Sequence, residues 1–187
     1  MVELTALWIP ILVSAVLVFV ASSIMHMVLP YHKSDYAKLP DEEKVMDAIR
    51  AAGLPPGFYH FPRCESHKDM KSPEYVAKLN KGPIGLLTVI PNGQPNMGKY
   101  LGTWFAYLVV VSIFVAYLTG RTLAPGTDYL HVFRVAGTTA FMAYAVGQSH
   151  ASIWEGRPWG NTIKFWFDGL IFACLTAGVF GWRWPKM

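Results

Sequence analysis

Apolar residues are not spread evenly along this chain but gathered into four stretches, residues 7–29, 100–120, 129–149 and 163–184, with the charges concentrated in the segment between the first two. Each stretch matches the roughly 20 residues that a helix needs to cross a bilayer. A single crossing must pair every backbone N–H and C=O within itself, which only a helix does. The pattern therefore predicts an all-α membrane protein, an antiparallel bundle of four transmembrane helices. The whole chain, 1–187, reads as one membrane domain carrying one extramembrane insertion, residues 31–99. The connections Arg121 to Asp128 and His150 to Thr162 are short, which makes the helices they join antiparallel neighbours.

Local signals set the boundaries. Helix one starts near Trp8, tolerates Pro10 in its first turn and stops before Pro30. Within the insertion, Val45, Met46 and Ile49 recur at helical spacing behind an acidic first turn, and Gly53 with Pro55 and Pro56 closes that element. Ser72-Pro73-Glu74 gives a cap, a proline at the first helical position and an acid, predicting a second short helix to about Asn80. The run Ile84 to Ile90, closed by Pro91-Asn92-Gly93, reads as a strand or hairpin arm, with an extended connector as the alternative. Gly57 to Met70 shows no periodicity.

Small residues mark where helices approach. Gly169, Ala173, Ala177 and Gly181 recur every fourth residue along the last helix, Ser112, Ala116 and Gly120 form a shorter series on the second, and Gly137, Ala140, Ala143 and Gly147 lie on the third. Lipid tails are as apolar as leucine, so close backbone contact must supply the association. Such stripes serve packing within the chain, or association with partner subunits or a second copy.

Composition adds limits. Apolar residues make up 53% of the chain against 15% charged, and the net charge of +4 comes without any basic run, so lipid headgroups account for it and nucleic acid is not an expected partner. The seven tryptophans fall near predicted span ends, as interfacial belts do. Cys64 lies in the insertion and Cys174 mid-span, too far apart for a disulfide. Lys33, Lys38, Lys99, Arg157 and Lys164 outnumber Arg121, Arg183 and Lys186, which places the insertion in the cytoplasm.

Candidate chemistry gathers on the insertion side. His26 ends the first helix, His150 follows the third, and Lys164 and Asp168 open the fourth, so with His32 and Gln148 they share one membrane face, and Tyr31 and Glu155 lie near. Ionisable groups inside a bilayer are functional hypotheses by default, and Asp168 is too short to snorkel. Lys164 and Asp168, four apart, also suit a simple helix-face ion pair. His60, Cys64 and His67 are spaced as metal ligands would be if the segment turned helically, although Pro62 opposes that and no fourth ligand is evident. Met25, His26 and Met27 point in different directions on a helix and do not converge on copper. His26 and His150 are the pair available to a transmembrane haem. Arg134 has a stem long enough to reach headgroups.

Neither a GxSxG elbow nor a glycine-rich phosphate loop is present, which points away from hydrolysis and nucleotide binding. Two functions fit: a non-catalytic membrane subunit or scaffold whose insertion meets a partner, or a redox, metal-binding, quinone-binding or lipid-headgroup-binding protein using the polar cluster. A small transporter fits less well, since no predicted span is interrupted at mid-membrane. No particular cofactor is indicated.

Leu54-Pro55-Pro56-Gly57, Met70-Lys71-Ser72-Pro73-Glu74, Gly156-Arg157-Pro158-Trp159, Phe167-Asp168-Gly169 and Thr176 to Trp182 resemble segments of an uncharacterised family of small bacterial integral membrane proteins. The resemblance spans most of the chain. It implies a bacterial inner membrane and the four-helix layout, and it carries over no activity, cofactor or site.

Overall fold

In the computed structural model, which describes residues 1–186, the chain divides into two compact units, Met1–Tyr36 with the chain from Asn96 onward, and Ala37–Pro95. Most of it is helical, with one two-stranded sheet.

The first unit is built on four long helical segments. A 3-10 turn, Leu4–Leu7, leads into α1, Trp8–Ser23, which runs on through a π-helical turn, Ile24–Val28, before the chain stops at Pro30 and makes a second 3-10 turn, Pro30–Ser34. Three helical stretches, Leu4–Val28, Met97–Thr122 and Trp159–Trp182, are long and apolar enough to cross a membrane. Only 28–44% of their most apolar windows is buried within the chain, so most of that greasy surface faces outward. Val16, Leu17 and Val20 on α1 and Phe114, Tyr117 and Leu118 on the second long helix lie on this outer surface.

These helices, with the one between the second and third, pack as antiparallel neighbours. At one end Val2 N–H donates to Gly120 O at 2.8 Å, joining the start of α1 to the end of the second long helix. At the other end Trp104, near that helix's start, donates through Nε1 to Ser22 Oγ at 2.9 Å. In mid-bundle the Ser14 hydroxyl, bonded to Pro10 O at 2.6 Å, also lies 3.1 Å from Ser112 Oγ, which gives the buried Ser112 hydroxyl a partner.

The predicted third span is where the fold departs from a simple rod. A helix begins after Asp128, whose carboxylate accepts from Leu130 N–H and His131 N–H, but it ends at Tyr144, and a 3-10 turn, Val146–Gln148, and a six-residue helix, Ser149–Trp154, follow. Sixteen residues of α-helix rise only about 24 Å, short of the roughly 30 Å apolar layer. The break falls at Ala145, where that residue packs directly on Gly169. A Cβ on Gly169 would stand 2.7 Å from Ala145 Cβ and 3.1 Å from its backbone, so only glycine permits the approach.

The small-residue stripe of the last helix serves this contact along its length. Gly137 meets Ala177, and Gly181 lies under Tyr129 so closely that a Cβ would stand 2.6 Å from the ring. Ala173 and Ala177 are buried, as are Ser112 and Ala116 on the second long helix. Gly120 lies under Val2 O, 2.6 Å from where a Cβ would sit. The series on the second long helix and on the last helix are thus filled by contacts within the chain, whereas Ala143 and Gly147 of the third series are exposed.

The second unit is α2, Glu42–Ala51, β1, Gly57–Phe61, α3, Pro73–Lys81, and β2, Gly85–Val89. The strand arm expected over residues 84–90 is β2. It pairs antiparallel with β1 from Gly57↔Val89 to Phe61↔Gly85, and β1 falls in the segment that showed no periodicity. The Phe61 ring covers Gly85, where a Cβ would stand 2.9 Å from it. Ser72 caps α3 as its sequence predicts, accepting from Tyr75 N–H at 3.2 Å. The remaining helices are α4, Met97–Thr122, α5, Tyr129–Tyr144, α6, Ser149–Trp154, and α7, Trp159–Trp182.

Candidate functional site

Asp168 lies two and a half turns into α7 and is 2% exposed, a carboxylate in the apolar interior that must be bonded to be tolerated. The partners come from the turn after α1. Tyr31 donates its hydroxyl to Oδ1, and His32 Nε2 lies 2.9 Å from Oδ2. Pro30 makes this possible: it halts the helix and folds the chain into the tight turn that lays Tyr31 and His32 on α7.

A second tier fixes that turn. His32 Nδ1 is 2.6 Å from Asp35 Oδ2, and Lys164 Nζ donates to Asp35 Oδ1 at 2.6 Å, to Tyr31 O at 2.7 Å and to Ser34 Oγ at 2.8 Å. Asn161 donates to Asp35 O at 2.9 Å. Burial works against the charge on Asp35, but the hydrogen bonds from Lys164 and His32 outweigh it and hold the carboxyl below its usual range. Burial, and then the hydrogen bond to Asp168, raise the Tyr31 phenol above its ordinary value, so Tyr31 stays a neutral donor. Lys164 therefore does not pair with Asp168 along the helix, as their spacing suggests, but reaches back to Asp35.

His26 completes the group. Its Nδ1 is 3.1 Å from Ser22 O, its ring stacks on His32 with centroids 4.2 Å apart, and its Nε2 is 3.9 Å from Asp168 Oδ2. His26, His32 and Asp168 form a group of potential ligand atoms within 4.8 Å of one another, assembled from α1's end, the following turn and α7.

This group opens onto a cavity of about 520 Å³ between α1, α4, α5 and α7. Its walls are Met27, Met97, Leu101, Trp104, Tyr107, Tyr144, Phe165 and Phe172, and its polar groups, Asp168, His26, Gln148 and the serines 22 and 23, belong to the wall as well. Trp104 is held by its bond to Ser22, and Tyr107 stacks on Trp104 with centroids 5.3 Å apart and donates to Ala143 O at 3.2 Å. Such a volume, apolar with few polar groups, is typical of small-molecule sites.

Other expected residues lie elsewhere. His150, on α6, is exposed and turns to Glu155, 3.8 Å away, the α5 helix having ended at Tyr144 before reaching it. No His26–His150 pair forms, and His26 instead stacks on His32. Gln148 lines the cavity and accepts from Arg157 at 3.3 Å. In the other unit, His60 is exposed on β1, Cys64 Sγ contacts Ser66 O and His67 contacts Met70 Sδ, so these three do not converge, and among the described residues the only such group is His26, His32 and Asp168. Arg134 is exposed on α5. Of the tryptophans, Trp184 departs from the belt pattern, being 6% exposed and bonded to Ala124 O.

Asp35, Ser34 and Asn161 went unnoticed in the sequence. The three-residue step from His32 to Asp35 is a signal for Asp35 alone, and nothing in the sequence marks Ser34 or Asn161.

The fold and site thus define a helical protein with three helices able to cross a membrane and a buried carboxylate–histidine group at an apolar cavity. No protein-family model matches the chain, and no curated protein or solved structure matches it.

Proposed function

We propose that this is a multi-pass membrane protein that binds a lipid-soluble molecule with a hydrogen-bonding head, such as a quinone or a lipid, in the cavity between α1, α4, α5 and α7. The observation that carries the reading is the pairing of apolar walls with one polar end made by Asp168 and His26. An apolar body gains by leaving water or loosely packed lipid for those walls, and the head gains bonds that hydrocarbon does not offer.

A membrane subunit or scaffold role draws on the α7 stripe, and that stripe is occupied by α5 of the same chain. The cavity makes the binding role the stronger of the two. With the 3-10 turn and α6 extending α5, four spans remain the economical topology, and the bacterial inner membrane with the insertion in the cytoplasm remains the proposed setting.

The test is titration of the detergent-solubilised protein with a short-chain quinone analogue and, separately, with a short-chain phospholipid, read by quenching or shift of tryptophan fluorescence. Saturable binding of one of them, weakened about tenfold or more in Asp168→Asn, supports the proposal, since a hydrogen bond to a charged group contributes about 1.5–3 kcal/mol. Neither ligand saturating, or an unchanged affinity in Asp168→Asn, contradicts it.

A further inference from the structure

A backbone carbonyl only accepts, so the contact of His26 Nδ1 with Ser22 O fixes the ring proton on Nδ1 and leaves Nε2 with a bare electron pair. His32 is oriented in the same way. Its Nδ1 meets Asp35, itself anchored by Lys164 and Asn161, so Nε2, which lies against Asp168, is the ring atom turned toward His26 and the carboxylate. Both Nε2 atoms face one oxygen, Asp168 Oδ2, at 3.9 and 2.9 Å, while Tyr31 occupies Oδ1.

Three electron pairs turned to one region repel unless positive charge lies among them. A proton on His32 satisfies its contact with Asp168 but gives His26 Nε2 nothing. An ion bound to all three satisfies all three.

We infer that His26, His32 and Asp168 bind a divalent first-row transition ion of the zinc class. Two imidazoles and a carboxylate are borderline and hard ligands suited to such an ion, and ligand bonds of about 2.0–2.2 Å place ligand atoms about 3–3.5 Å apart. The 2.9 Å contact falls just below that span and opens slightly around an ion, and the 3.9 Å one closes when His26 tilts out of its stack on His32. With 43% of its side chain exposed, His26 is free to do so. The outer partners are in place as well, a carbonyl on one histidine and a carboxylate on the other, which is how ligating imidazoles are held. Three protein ligands leave a fourth position, and because His26 and Asp168 line the cavity that position opens into it. The inference stands on the side-chain geometry and holds whether or not a lipid-soluble ligand binds.

The experiment uses the full chain in detergent micelles, stripped with a chelator and then loaded with Zn²⁺ or Co²⁺, and reads metal content and the Co²⁺ visible spectrum. One ion per chain is expected, with ligand-field bands that disappear in His26→Ala. That variant removes an exposed ring bonded only to Ser22 O and stacked on His32, so it keeps its fold, which circular dichroism verifies. Asp35→Asn, acting through His32, is expected to weaken binding about 10- to 100-fold, and His150→Ala to leave it unchanged. Failure of the wild type to hold a stoichiometric ion, wild-type affinity in His26→Ala, or a site that follows His150 instead overturns the inference.

Discussion

Asp168 illustrates how one residue can be fixed by groups far away in sequence. Its bonds to Tyr31 and His32 span more than 130 positions, and each partner is itself held by Lys164 or Asp35. Asp168→Ala leaves a buried tyrosine hydroxyl and an imidazole unmatched, and a loss of about 1–3 kcal/mol is expected in thermal or denaturant unfolding in micelles. The convergence of His26, Lys164 and Asp168 is legible in the sequence, because depth along antiparallel helices follows from counting residues. His150 shows where counting fails: the α-helix it was placed on ends before it, and no proline announces the break. At the far end of α5, hydrogen bonds from the His131 side chain and then its backbone N–H hold Asp128 below its usual carboxyl range. A group with a lowered folded pKa contributes in full above its unfolded value of about 4 and loses that contribution as pH falls through the folded value. The first turn of α5 is therefore expected to fray on acidification below about pH 4, measured by amide exchange corrected for intrinsic rate, and Asp128→Asn to flatten that dependence.

Among the elements, α5 and α7 form the most extensive contact, and glycines and alanines decide it. Gly169→Val is expected to force Ala145 off α7 and cost about 1–3 kcal/mol, while Gly160→Val, at a position with open space around it, changes stability little. Melting temperatures of the two variants in the same detergent check this. The stripe was visible in the sequence, but not which helix would fill it, since the same pattern suits an internal neighbour or a second protein. In the other unit the cap of α3 was legible because a serine, a proline and an acid give one answer. β1 was not, because Gly-Phe-Tyr-His-Phe between prolines has no clear alternation and becomes a strand only by pairing with β2. Ser72→Ala is expected to destabilise α3 by about 1 kcal/mol, seen as faster amide exchange over residues 73–81.

At the scale of the whole molecule, the outward apolar surface of α1, α4 and α7 and the inward cavity have different consequences. The surface follows from composition, and any sequence this greasy predicts it. The cavity does not, because it depends on the gap left where α1 turns at Pro30 and α5 breaks at Ala145, two local events that no hydropathy pattern encodes. Leu101 is half-open on the cavity wall, so Leu101→Trp fills the space without disturbing the buried contacts around Asp168. Native mass spectrometry of the protein released from mild detergent, wild type beside Leu101→Trp, tests the central claim most directly. The account predicts a wild-type chain carrying one adduct of lipid or quinone mass and a Leu101→Trp chain without it. A bare wild-type chain, or the same adduct on both proteins, contradicts it.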